Sequence, residues 1–274
     1  MPSMRLALDF TALALYGVSF ACYAAGLFRD RRWLGRLATL LLVLGLVVHY
    51  FALLERSRVI HAIPYDDLYG SMSLFAWLVA LTYLGLETIH RQRAVGSLVV
   101  PFAIVWLLVA VAVAPSAVHR APMANGPLFA LHITIGIWAY AAFAISFLLS
   151  LVYLFQNRVL RGGRPGLAFW RFPPLEVLER MSRSSVWIGL ILLLVGTALG
   201  FVWEHRLTGH FAVADPKVVV TLAVVVIYAV YLSILRAPAW RGARAAFLCA
   251  CNFILVLFSY TIVNLYFTRF HRFY

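Results

Sequence analysis

Residues 128–156 read LFALHITIGIWAYAAFAISFLLSLVYLFQ, without one Asp, Glu, Lys or Arg. A helix needs about 20 mostly apolar residues to cross the hydrocarbon core of a bilayer. This stretch exceeds that length, and His132 is its one side chain that titrates near neutral pH. It is too long for a core strand and too apolar for the surface of a soluble helix, so it reads as a membrane span long enough to tilt or to project beyond the lipid.

The rest of the chain agrees. Of its 274 residues, 64% are hydrophobic and 12% charged, and the mean hydropathy is +0.91. A water-soluble domain of that composition could not cover its own core with polar surface. By length and apolarity the spans fall at 8–28, 36–54, 71–89, 96–115, 127–154, 184–203, 217–235 and 244–267. The expectation is an all-α, polytopic membrane protein of about eight helices, a single integral membrane domain over 1–274. The first span carries only Arg5 before it, and its basic cluster, Arg29, Arg31, Arg32 and Arg36, follows it. A retained helix therefore fits better than a cleaved signal peptide.

Charge orients the spans. Loops on one side hold 15 of the 23 basic residues, including Arg158, Arg161, Arg164, Arg171, Arg180 and Arg183 between the fifth and sixth spans; the other side holds eight. Basic loops stay in the cytoplasm, which places both termini on the non-cytoplasmic side. The net charge of +13 thus reads as topology charge, with anionic lipid as the partner of the long basic loop and no role for nucleic acid. Pro173 and Pro174 can open a helix whose Leu175, Leu178 and Met181 share one face, an interfacial segment leading into the sixth span. Cys22, Cys249 and Cys251 all lie in apolar runs without metal-ligand spacing, so neither disulfides nor zinc are expected.

This topology collects the imidazoles. His61, His119, His205 and His210 fall in outer loops, and His49, His132 and His271 near the outer ends of their spans; only His90 is cytoplasmic. Imidazole is a common ligand of haem iron, and two from different helices can fill both axial positions. An isolated loop histidine is more often just a polar side chain. His132 and His49 differ, because an ionisable group inside an apolar helix is costly and usually functional.

At these residues a family resemblance emerges. The His132 helix, with its AY pair and small-residue run, resembles the conserved helix of the CcsA/HemX/YpjD-type cytochrome c assembly proteins. IPYDDLYGSMSLFAWL (63–78), PPLEVLERMSRSSVWIGLILLLVGTALGFVW (173–203) and WRGARAAFLCACNFILVLFSYTIVNLYFTRFH (240–271) resemble further segments of that family in the same order. HFAVADPK (210–217) stands where the family carries a tryptophan-rich haem-binding signature. The resemblance runs from about Pro64 to the end. It implies haem held at the outer face between His132 and His271 as axial ligands, with haem b as the cofactor and apocytochrome c and a second membrane assembly subunit as partners in the bacterial cytoplasmic membrane. His49, Asp215, Trp203 and Phe211 are further candidates near the haem.

Asp215, Pro216 and Lys217 survive from the signature, whereas Thr208, Phe211, Ala212 and Ala214 occupy its aromatic region, and Ser233 stands where full-length members carry a membrane histidine. Aromatic faces supply stacking area for a porphyrin and alanine supplies almost none. In this the chain resembles the smaller HemX/YpjD-type branch. Asp215 before Pro216 also has a plain structural role as a helix N-cap, as does Asp67 before the third span, and aromatic residues such as Phe201 and Trp203 fit an interfacial belt. No nucleophile elbow, Walker loop or dinucleotide fingerprint occurs. Two readings stay open: a haem-binding assembly factor that supplies no nucleophile of its own, or a haem-free scaffold or regulator acting on a haem-synthesis enzyme or another membrane complex.

Overall fold

The computed structural model describes residues 2–29, 31–60, 68–113, 126–163, 172–210 and 215–262. Eight α-helices account for nearly all of them: α1 (Pro2–Phe28), α2 (Arg32–Ile60), α3 (Leu68–His90), α4 (Gly96–Ala112), α5 (Pro127–Arg161), α6 (Leu175–Thr208), α7 (Pro216–Ile234) and α8 (Ala243–Ile262). Two 3-10 turns, Arg93–Val95 and Pro238–Trp240, lead into α4 and α8. Seven of the helices are long and apolar enough to cross a membrane, and α8 contributes a shorter apolar stretch within the described residues, Ala243–Phe258. The expected helices are all found, but α5 and α6 outrun their apolar cores. α5 continues to Arg161, and α6 starts at Leu175 and runs to Thr208. At about 1.5 Å per residue, either is ~50 Å long against a ~30 Å hydrocarbon layer, so both project polar turns past it. Hydropathy detects the buried length of a helix; hydrogen bonding sets its full length. Leu178 and Met181, the apolar face expected for the segment after Pro174, are fully buried.

The chain divides into two compact units, one of Met1–Val118 with Phe155–Met181, the other of His119–Leu154 with Ser182–Tyr274.

In the first unit, α1 presents one polar face to α2 and α3. The Tyr69 hydroxyl donates to Asp9 at 2.7 Å, and the guanidiniums of Arg5 and Arg56 each lie 4.6 Å from the centre of the Tyr69 ring. One layer along, Tyr16 meets His49, and Ser19 donates to the Ala38 carbonyl at 2.8 Å. In a third layer the carboxylate of Glu87, 4% exposed, accepts from the hydroxyls of Tyr23, Thr39 and Tyr83 and from Arg93 Nε at 3.4 Å. A buried carboxylate is stable only when so surrounded. Glycine permits the closeness: a Cβ on Gly96 would stand 2.6 Å from the Tyr83 hydroxyl and 2.7 Å from the Tyr23 ring. Between the polar layers Leu42, Ala76, Leu78 and Val79 fill the interior.

The second unit rests on α5 packed against α6. Ser185 donates to the Ala142 carbonyl at 2.7 Å, and Ser182 bonds to the Ser146 carbonyl and the Ser150 hydroxyl, each at 3.2 Å. Small hydroxyl residues let membrane helices approach closely and give each other the hydrogen bonds that lipid cannot offer. Cys249 of α8 joins this seam, with its Sγ 3.4 Å from the Ser146 hydroxyl. Phe143 stacks on Tyr228 of α7 at 3.9 Å and 2°.

Candidate functional site

Along α5, residues 129, 132, 136, 139 and 143 recur at helical spacing on one face. Along α6, residues 189, 196, 200 and 203 do the same. The two faces meet in antiparallel order. The Phe143 ring lies where a Cβ on Gly189 would approach it to 2.6 Å, and a Cβ on Gly196 would touch Ile135 at 3.4 Å. Towards the start of α5, His132 lies over Gly200, and one turn further Phe129 meets Trp203 with ring centres 4.8 Å apart.

His132 is the ionisable member of this interface. Its Nδ1 donates to the backbone carbonyl of Gly196 at 2.7 Å. An α-helical carbonyl is normally taken by the amide four residues on, so the imidazole adds a second donor to an oxygen with two lone pairs. Its Cε1 would stand 2.6 Å from a Cβ on Gly200, and its Nδ1 2.8 Å. Those distances are below any real Cβ contact, so this ring position requires glycine at 200. The ring is half-buried, whereas Phe129 beneath it is only 3% exposed.

His132, Trp203 and the α5–α6 groove therefore come together within one unit. Asp215 has a different setting: its Oδ1 accepts from the Lys217 amide at 2.7 Å, the N-cap of α7 with Pro216 in the first turn, as its sequence position led one to expect. His49 belongs to the other unit and is fully buried. Tyr16 lies 3.3 Å from its Nδ1 and Ser73 3.0 Å from its Nε2, which occupies both ring nitrogens. His271 and Phe211 lie outside the described residues, as does Asp67. His205 and His210 are exposed. Among the described residues, no three His, Cys, Asp or Glu side chains gather as a metal site.

The residues that sequence reading passed over are Phe129, Gly196 and Gly200. A signal for two of them was present: Gly196-x-x-x-Gly200 in an apolar helix is the small-xxx-small pattern by which membrane helices approach closely. It shows that a partner helix comes near; it does not show which side chain fills the groove.

A family model described as Cytochrome C assembly protein matches residues 65–271. Similar proteins named cytochrome c biogenesis protein CcsA include one from Prochlorococcus marinus (strain MIT 9312), 27% identical over 235 residues that cover 77% of this chain and 76% of the relative. Another, from Chlamydomonas reinhardtii, is 28% identical over 235 residues, covering 83% of this chain and 64% of the relative. A third, from Pyropia yezoensis, is 24% identical over 292 residues, covering 92% and 90%. The match spans nearly the same stretch, from about Pro64 to the end, over which the sequence resemblance runs. This multi-pass, all-helical membrane chain belongs to the cytochrome c assembly protein family.

Proposed function

We propose that this protein holds haem, as cargo for cytochrome c assembly, at the non-cytoplasmic face of a bacterial cytoplasmic membrane, with His132 and His271 as axial ligands of haem b. The observation that carries the reading is the state of His132. With Nδ1 committed to the Gly196 carbonyl, Nε2 is the nitrogen left to bind a metal, the arrangement in which a second partner orients a ligating histidine and raises its basicity. The Phe129–Trp203 pair beside it supplies an apolar, aromatic flank of the kind a porphyrin takes. These residues fit the group.

The thioether-forming chemistry belongs to haem and to the cysteines of the apocytochrome. The chain's own residues bind, orient and shield. His132 would supply a donor nitrogen held in one direction by α6, and His271 would supply the second. Both termini lie outside the cytoplasm in this reading, and the apocytochrome and a second membrane subunit are its partners.

One observation favours a second reading. Thr208, Ala212 and Ala214 stand in place of the aromatic signature, which would suit a haem-free scaffold acting on a haem-synthesis enzyme or another membrane complex. Absorption spectra of the detergent-purified protein decide between them. Under the first reading the wild type shows a low-spin haem spectrum that His132→Ala and His271→Ala each lose. A colourless protein that also fails to take up added haemin sinks that reading and leaves the scaffold.

A further inference from the structure

We infer that Gly200 and Gly196 are positioning residues that hold His132 as the Nδ1–H tautomer and direct Nε2 as its only donor lone pair; the metal-binding consequence rests on the haem reading above, the tautomer does not. A carbonyl oxygen cannot donate. The nitrogen 2.7 Å from Gly196 O must therefore carry the proton, and in a neutral imidazole the other nitrogen is then the acceptor.

Gly200 keeps the ring there. An alanine at this position would bring its Cβ to 2.6 Å from Cε1, 2.8 Å from Nδ1 and 3.4 Å from Nε2. The ring end can swing about its side-chain torsions to escape, so the helix pair survives the substitution. It cannot swing and keep Nδ1 on the Gly196 carbonyl. The substitution thus exchanges a fixed tautomer for a free one without demanding that the fold fail.

The neighbouring glycines behave differently. A Cβ on Gly136 meets nothing within 4 Å, and a Cβ on Gly196 makes ordinary contacts, 3.4 Å to Ile135 and 3.5 Å to the Gly136 nitrogen, while its carbonyl remains. The three glycines of the same interface therefore predict three outcomes. Gly136→Ala leaves His132 unchanged, Gly196→Ala keeps the Nδ1–H tautomer, and Gly200→Ala loses it.

The test uses the full chain in mild detergent with 15N-labelled histidine, His132→Ala identifying the signals of this ring. In preparations stripped of haem, the wild type, Gly136→Ala and Gly196→Ala should show a protonated, pyrrole-type Nδ1 and a pyridine-type Nε2, and Gly200→Ala a mixture of tautomers. A wild-type ring protonated on Nε2, or a Gly200→Ala ring identical to the wild type, overturns the inference. Haemin titration is the second measurement. Loss of the orienting partner should weaken haemin binding by about 10–100-fold in Gly200→Ala and leave Gly136→Ala at the wild-type value. If the tautomer behaves as stated while the wild type ignores haemin, the positioning stands and only the haem reading falls.

Discussion

The ring of Tyr16 on α1 occupies the space a side chain on Gly45 of α2 would fill: a Cβ there would stand 2.6 Å from both Cδ1 and Cε1 of the ring. Tyr16 is fully buried and its hydroxyl is shared with His49, so the glycine on one helix and the aromatic ring on the next locate a buried histidine between them. Gly45→Ala should overpack this contact and cost about 1–3 kcal/mol. Gly17→Ala, whose Cβ meets nothing within 4 Å, should leave stability unchanged or raise it slightly. Thermal unfolding in detergent, followed by loss of the monodisperse peak, compares the two directly.

Glu87 predicts the largest loss in the first unit. Glu87→Ala removes the acceptor that the hydroxyls of Tyr23, Thr39 and Tyr83 share and the carboxylate that faces Arg93, and removing one partner of a buried charged network costs about 3–5 kcal/mol. Glu87→Gln keeps an accepting oxygen and should cost about half as much, on the order of 1–3 kcal/mol. Melting temperatures in the order wild type, Gln, Ala are expected; equal values for all three would mean the network contributes nothing.

His49 and His132 should part company when each is replaced by alanine. His49→Ala removes the shared partner of Tyr16 and Ser73, a destabilisation of about 1–3 kcal/mol, while any haem absorption keeps its position and shape. His132→Ala leaves stability nearly unchanged and abolishes the absorption. Spectra and melting curves of the same two preparations check both halves.

Asp215→Ala removes the acceptor of the Lys217 amide and should cost about 1 kcal/mol, with Asp215→Ser or Asp215→Asn restoring most of it. A haem-contacting role would instead show as a spectral change that serine and asparagine fail to restore.

Topology has its own test. If both termini lie outside the cytoplasm, as the bias of basic loops predicts, a tag on either end should be cleaved by protease added to intact spheroplasts, and an engineered cysteine in the long loop between α5 and α6 should resist an impermeant thiol reagent until the membrane is opened. A protected tag reverses the orientation and moves His132 to the other face.

The sequence indicated that the fifth span could project past the lipid and that a helix leads into the sixth, but the far ends of α5 and α6, the three polar layers of the first unit and the side chains that fill the groove of the second escaped it, for related reasons. Hydropathy averages over a window, so it registers the lipid-facing bulk of α5 and passes over the polar turns that carry it to Arg161. Asp9, the one acid in the sequence of α1, is fully buried and bonded to Tyr69 sixty residues away. A pairing at that separation leaves no local trace.

Sequence alone determined that the chain is a series of apolar, membrane-spanning helices, because the bilayer admits few ways to satisfy a backbone and composition reports them directly. It also marked His132 as unusual, because an imidazole within an apolar helix is costly unless used. Tertiary structure decided what that imidazole is. Only the approach of α6 supplies the carbonyl that accepts its Nδ1–H and the glycine that leaves room for its ring. His49, equally unusual in the sequence, meets Tyr16 and Ser73 and has both nitrogens engaged. The same residue type in the same kind of helix acquires opposite capacities, because hydrogen-bond partners come from neighbouring helices and not from neighbours in the chain.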